Sequence, residues 1–244
     1  MAKLRGVIYL SWLTMALLCC SYEASAASAN EAMPMQIRVA NFSSTNPQQL
    51  FKHWRPYRFS LFGSSTLYHL VQHDGQQVLQ AISKKTASGL IRNLTLSLTD
   101  YPTLNWRWKT TSLPKNADDH SKQGDDHSAR LYVIFEAPQT SLLGWLKNAV
   151  GLEKTHALNY IWANHAPANA LLTSPYTDRS MMVAANSGSS QLDQWVSLSR
   201  NVAADYLRAF GHTPPPVSAI AIMTDGDNSN AHLTSYYGDI YFSR

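Results

Sequence analysis

Three groups of residues have the types and spacing that chemistry requires. The first is Asp225-Gly226-Asp227-Asn228-Ser229, where oxygen donors alternate along a tight loop. That arrangement is what a hard cation such as calcium takes. Asp239, in Tyr237-Gly238-Asp239-Ile240, adds a carboxylate if its strand lies beside the loop. The EF-hand pattern is not met, because its glycine position holds Asn230 and its last position holds Tyr236. The plain alternative is an Asp/Gly/Asn turn that ends a strand.

The second group is Asp118-Asp119 with Asp125-Asp126-His127. Paired carboxylates beside a histidine can perform general acid–base work, since like charges raise one pKa. Carboxylates adjacent in sequence usually point apart on a solvated loop, and Lys115, His120 and Lys122 interrupt this one. A milder expectation is that Asp126 pairs with Arg130 where the loop enters the next strand. The third group is a face. Arg130, Tyr132 and Glu136 alternate along one strand, and Leu158, Tyr160 and Trp162 along the next. If the two strands pair with these faces together, an arginine, a carboxylate and aromatic rings suit a sugar. The alternative is a second buried layer in which Arg130 and Glu136 bridge, since an arginine in an apolar strand needs a partner. The expected ligand-binding set is Arg130, Tyr132, Glu136, Tyr160 and Trp162; the expected metal set is Asp225, Asp227 and Asp239. No catalytic residue is assigned: G-x-S-x-G, H-E-x-x-H and phosphate-loop patterns are absent.

The bulk composition narrows the partners. The chain has 244 residues, 45% of them hydrophobic and 15% charged, with 20 basic against 16 acidic side chains. Enough apolar residues are present to build a core, which excludes a disordered chain. The basic excess is small and scattered, so nucleic acid is not an expected partner. No apolar run long enough to span a bilayer occurs beyond the N-terminus, so no transmembrane segment is expected after processing.

The N-terminus itself reads as a signal peptide over residues 1–29. Lys3 and Arg5 precede an apolar stretch from Val7 to Cys20, and two A-x-A sites follow, ending at Ala26 and Ala29. Both cysteines, Cys19 and Cys20, leave with it. The remainder, residues 30–244, is expected to be a single β-sandwich domain in the periplasm.

Those elements must position the chemistry, and their dominant period is two. Leu67–Gln72 and Gln77–Ser83 flank Asp74-Gly75, a strong hairpin signal. Leu94, Leu96 and Leu98 alternate with polar residues, as do Leu104, Trp106 and Trp108. Further strands are expected at Ala129–Glu136, Ala157–Asn164, Met181–Ala185, Trp195–Arg200, Val217–Thr224 and Ser235–Ser243. Two stretches read as helix: Leu142–Leu152, with an apolar stripe through Trp145, and Val202–Phe210, closed by Gly211 and Pro214-Pro215-Pro216. The fold class expected is all-β: an antiparallel β-sandwich, jelly-roll-like, with two short helical insertions.

Several segments together resemble the bacterial exported family catalogued as domain of unknown function 3047. They include Tyr101-Pro102-Thr103-Leu104-Asn105-Trp106-Arg107-Trp108, Asp125-Asp126-His127-Ser128-Ala129-Arg130-Leu131-Tyr132 and Ile222-Met223-Thr224-Asp225-Gly226-Asp227-Asn228. The resemblance implies a jelly roll like that of galactose-binding and carbohydrate modules, where a structural calcium near the last strands is common. It supplies no activity. The function expected is non-catalytic binding of a glycan or glycan-like envelope ligand. The rivals are a polysaccharide lyase or hydrolase using Asp126, His127 or Tyr132, and a protein-interaction module with the Trp145 helix as contact.

Overall fold

A strand that alternates apolar and polar residues has one face to bury, and two such sheets bury each other. The computed structural model describes residues 35–58, 64–136 and 155–244. In chain order the elements are β1 (Gln36–Ala40), α1 (Leu50–His53), β2 (Arg55–Arg58), β3 (Leu67–His73), β4 (Gln76–Lys84), β5 (Ser88–Leu96) and β6 (Thr103–Thr110). Then follow β7 (Arg130–Phe135), β8 (Ala157–Ala163), β9 (Leu171–Thr173), β10 (Ser180–Ser187), β11 (Val196–Asn201), α2 (Val202–Phe210), β12 (Val217–Met223), β13 (His232–Tyr237) and β14 (Ile240–Ser243).

One seven-stranded sheet has the order β1-β14-β6-β13-β4-β3, with β11 also paired to β6; the other runs β2-β5-β12-β7-β8-β10-β9. Pairing is antiparallel throughout except between β8 and β10, which are parallel. The architecture is a β-sandwich of two seven-stranded sheets. Asp74 and Gly75 turn the β3–β4 hairpin with φ of 50° and 77°, the positive values that a two-residue turn of matching twist requires.

The core lies between the sheets. Trp106 and Trp108 of β6 meet Tyr160 and Trp162 of β8, with ring centroids 5.2 Å apart for Trp106–Tyr160 and 6.2 Å for Trp108–Trp162. Two indole N–H groups find acceptors there: Trp108 Nε1 donates to Asn186 Oδ1 at 2.7 Å and Trp162 Nε1 to the Gly188 carbonyl at 3.0 Å. The helix at Val202–Phe210 forms at its expected bounds. Asn201 caps it by accepting from Ala204 N at 2.9 Å, and Gly211 ends it at φ 75°.

The structure also departs from the sequence reading. The short elements β1, α1, β2 and β9 carry no alternation long enough to mark them. The strand expected over Ser235–Ser243 is two, β13 and β14, parted at Gly238-Asp239. Asp239 is drawn there to Ser43, accepting from its N at 2.9 Å and its Oγ at 2.6 Å. The signal sequence and the Leu142–Leu152 helix fall outside the described residues. Among the described residues no helix is long and apolar enough to cross a membrane.

The largest correction concerns the expected binding face. In the β7–β8 ladder Leu131 lies opposite Tyr160, and Arg130 opposite Ile161. Tyr160 and Trp162 therefore share the inner face with Leu131, on the other side of the sheet from Arg130 and Tyr132. Strand β8 is buried on both faces, its outer Ile161 and Ala163 packing with Leu172, Met182 and Ala184. Such a strand gives no polar side from which to read its phase. Replacing Trp162 with Ala should thus cost about 3–5 kcal/mol of stability. Urea unfolding checks this; a stable Trp162→Ala protein would mean that the ring is not part of the core.

Candidate functional site

Arg130 opens β7 on the outer face of the second sheet and is 1% exposed. A buried guanidinium demands partners, and the neighbouring strand supplies them. Met223 of β12 pairs with Arg130, and the chain just beyond it carries Asp225 back over the guanidinium. The contact is bidentate: Nε to Oδ1 and Nη2 to Oδ2, both 2.7 Å. Nη2 also donates to the Asp125 carbonyl at 2.6 Å and faces Asp125 Oδ2 at 3.2 Å.

The loop that delivers Asp125 is not a solvated acidic stretch. It folds inward, with Asp119, Asp125, Asp126 and His127 all buried. Gly124 permits the fold, since a Cβ there would collide with the Asp118 backbone. Asp119 ties the loop to the end of β8 by accepting from the backbone N of Asn164, His165 and Ala166 at 2.9, 2.8 and 2.7 Å. His127 is enclosed between Asp119 (Nδ1 to Oδ1, 3.6 Å) and Asp125 (Nε2 to Oδ1, 3.4 Å). Asp126 does not pair with Arg130 as expected; it accepts from the N and Oγ of Ser229 and from Asn228 N. It thereby locks the turn after β12.

Above this charged platform opens a cleft of about 820 Å³. Its floor consists of two cross-strand rows, Tyr57–Gly89–Met223–Arg130 and Ile91–Ala221–Tyr132. Small residues stand between tyrosine rings, which is why the face is hollow. Tyr176 and Arg179 form one wall, and Asp227 and Asn228 form part of another. The walls are joined, for Asn228 Nδ2 donates to the Lys122 carbonyl at 2.8 Å and to Tyr176 Oη at 3.3 Å.

The charges are tuned in opposite directions. Burial pushes Asp225 up to about 7, although Arg130 pulls the other way. Asp227 is raised by burial and by neighbouring Asp126. Asp125 is lowered: burial pushes it up, and Arg130 and His127 outweigh that. Asp119 is lowered because the N–H groups of Asn164, Ala166 and His165 outweigh its burial. His127 is lowered by burial and by Arg130, so its neutral form is favoured. Burial raises Tyr132 as well.

Of the expected binding residues, Arg130 and Tyr132 line the cleft. Tyr160 and Trp162 lie in the core. Glu136 sits half-buried just past β7 and does not bridge to Arg130; its backbone N donates to the Pro216 carbonyl at 2.9 Å. Of the expected metal residues, Asp225 and Asp227 come together with Asp126, one oxygen from each lying within 4.8 Å of the others. Asp239 is elsewhere, holding Ser43. Oxygen donors of this kind fit a hard cation such as calcium, but both Asp225 oxygens already accept from Arg130. Tyr57, Asp125, Tyr176, Arg179 and Asn228 were not read as site residues. Asp125 carried a signal in its place in the acidic run, and Asn228 in its place in the Asp225–Ser229 loop.

Comparison with known proteins follows from this geometry. A family model described as "Protein of unknown function (DUF3047)" matches residues 52–241. The chain belongs to the DUF3047 family. Both carboxylates on Arg130, and Arg130 itself, fall inside the matched region. No curated protein matches the sequence significantly. Among solved structures, the chain is similar to the family 11 carbohydrate-binding module of cellulosomal cellulase Lic26A-Cel5E of Clostridium thermocellum, at 8% identity and a TM-score of 0.41, covering 85% of this chain and 94% of that one. It is similar also to the family 30 carbohydrate-binding module of cellulosomal cellulase Cel9D-Cel44B of the same organism, at 10% identity and a TM-score of 0.43, covering 86% and 98%. Likeness at that level carries no argument about ligand.

The shifted carboxylates make a testable pH dependence. Burial holds the Asp225 carboxyl up at about 7 in the folded chain, so its pairing with Arg130 is fully ionic only above that, whereas an unfolded aspartate releases its proton near pH 3.9. The folded state holds the extra proton between those values, so the stability from this group is full below the lower one and falls as pH rises toward the higher. Asp119 and Asp125 are lowered, so their contribution is present above the unfolded value and is lost as pH falls through it and below. Asp225→Asn should be less stable overall yet lack the decline between about pH 4 and pH 7. Urea unfolding across that range decides; an unchanged slope would show that Asp225 does not titrate there.

Proposed function

We propose that this protein binds a glycan, without chemistry, in the cleft on the outer face of the second sheet, and that it does so in the periplasm after loss of its N-terminal signal. The observation that carries the reading is the cleft itself: tyrosine rings at Tyr57, Tyr132 and Tyr176 around a hollow floor, with carboxylates, Arg179 and Asn228 on its edges. Rings and aliphatic side chains accept the apolar faces of sugars, and the polar edge hydrogen-bonds hydroxyl groups. A chemical role for the acidic loop has less support. His127 is fully buried, and Asp126 is held by Ser229.

Thermal unfolding of the protein against a panel of soluble glycans tests the proposal. A ligand at about 100 times its Kd stabilises by roughly 2.7 kcal/mol, enough to move the midpoint by a few degrees. Tyr132→Ala should abolish the shift while leaving the chain folded, because this half-buried ring faces the cleft and not the core. No shift with any glycan, or a shift unaltered in Tyr132→Ala, would remove the cleft from the reading.

Calcium belongs to the same proposal as a structural ion, taken by Asp126 and Asp227, with Asp225 sharing an oxygen that also accepts from Arg130, in place of the Asp225, Asp227 and Asp239 set. Calcium at millimolar concentration should then raise the midpoint, and Asp227→Asn should cancel the rise. A midpoint indifferent to calcium and to chelator would withdraw the ion.

A further inference from the structure

We infer that the connection between β9 and β10, residues 174–179, is a strap that guards the cleft, and that a ligand reaches the floor only when the Tyr176 hydroxyl lets go of the opposite wall. Such a guard controls access to the cleft and does not depend on the ligand being a glycan.

The first ground is where the strap runs. At its base Ser174 N donates to the Ser180 carbonyl at 3.1 Å, and the Arg179 carbonyl accepts from Ala157 N at 2.9 Å. Ala157 pairs with Ile134, near the last residues of β7. At its tip Tyr176 Oη donates to the Lys122 carbonyl at 3.2 Å and accepts from Asn228 Nδ2 at 3.3 Å. Asn228 follows Met223, whose partner Arg130 opens β7, so the tip is fastened at the other end of the floor. Between the two fastenings Tyr176, Thr177 and Arg179 line the cleft. Ile134 and Met223 line it too, yet they are only 8% and 6% exposed, so the floor is screened from solvent.

The second ground is how little holds the tip. The other side-chain bonds of the strap stay within it: Tyr176 N donates to Ser174 Oγ at 3.3 Å and Arg179 N to Thr177 Oγ1 at 3.2 Å. Every hydrogen bond that leaves residues 175–178 for another described part of the chain runs through the Tyr176 hydroxyl. Tyr176 is 57% exposed, so water competes for both of its bonds. A hydrogen bond open to water contributes little net stability. Lys122 Nζ stands 5.6 Å from the centre of the ring, an exposed cation–π contact of small worth. A segment tied down by one such side chain opens locally while the sandwich stays folded.

The test needs no ligand. In the full chain carrying Cys19→Ser and Cys20→Ser, Ala221→Cys places a lone thiol on the floor, where Ala221 is half-buried. Its rate of modification is measured with a small reagent, methyl methanethiosulfonate, and with a bulky one, a maleimide on a polyethylene glycol chain. The bulky reagent is expected to react at a rate set by how often the strap opens. Tyr176→Phe keeps the ring beside Lys122 and removes both bonds of the hydroxyl. It should speed the bulky reagent about tenfold and the small one by less than about twofold. Asn228→Ala removes only the bond from Asn228, so it should speed the bulky reagent less and add nothing on top of Tyr176→Phe. Circular dichroism checks the fold of each variant, and Ile91→Cys, also on the floor, supplies the thiol if Ala221→Cys does not fold. A bulky-reagent rate unchanged in Tyr176→Phe overturns the inference. Equal acceleration of both reagents overturns it as well, because it marks general loosening, and so does a further gain when Asn228→Ala is added. None of these outcomes bears on the glycan reading, which the unfolding experiments with glycans decide.

Discussion

The burial of one arginine constrains much of this molecule. A guanidinium at the start of β7, 1% exposed, is tolerable only if its donors are met. Asp225 meets two of them and Asp125 meets another through its carbonyl. Each partner then imposes its own demands. Asp225 fixes where the chain leaves β12, and Asp125 fixes how the preceding loop approaches β7. That loop must in turn be pinned, which Asp119 does through three backbone N–H groups beyond β8. Asp126 fastens the same loop to the turn at Asn228 and Ser229. Three carboxylates within eight residues and a fourth just past β12 thus have separate tasks around one cation.

The hollow beside that group has a different origin. It exists because Gly89 and Ala221 stand in a floor flanked by Tyr57 and Tyr132. At Gly89 even a methyl group is excluded, since its Cβ would lie 2.8 Å from the Ile222 carbonyl. Large side chains are spent instead on the inner face, where Trp106, Trp108, Tyr160 and Trp162 fill the space between the sheets. The two faces of the second sheet therefore divide the work. One is packed at interior density, and the other keeps room for a ligand beside a preformed charged platform.

How much of this was legible depended on whether the signal was local. The β3–β4 hairpin was visible because Asp74-Gly75 suits positive φ, and α2 because Asn201 and Gly211 cap it. Arg130 and Tyr132 were visible because a charged and a polar ring side chain interrupt an apolar strand. Tyr57 was not, for β2 has only four residues and no pattern. Tyr176 and Arg179 lie in a connection, where side-chain direction follows from distant contacts such as that with Asn228. Asp239 looked like a ligand by its neighbours in sequence, yet it is committed to Ser43, remote in the chain.

By itself the sequence determined the class of fold, most of its strands and the residues with unusual chemistry, because periodicity, turns and caps are properties of neighbouring residues. Tertiary structure decided which of those residues meet. The phase of β8 against β7 sent Tyr160 and Trp162 inward, since a strand buried on both sides takes its register from its partners and not from its own pattern. It also turned an acidic loop, which in isolation belongs in water, into the buried counterion of Arg130. Desolvation makes an arginine search for charge at any distance along the chain, and Asp225, 95 residues away, is where it found it.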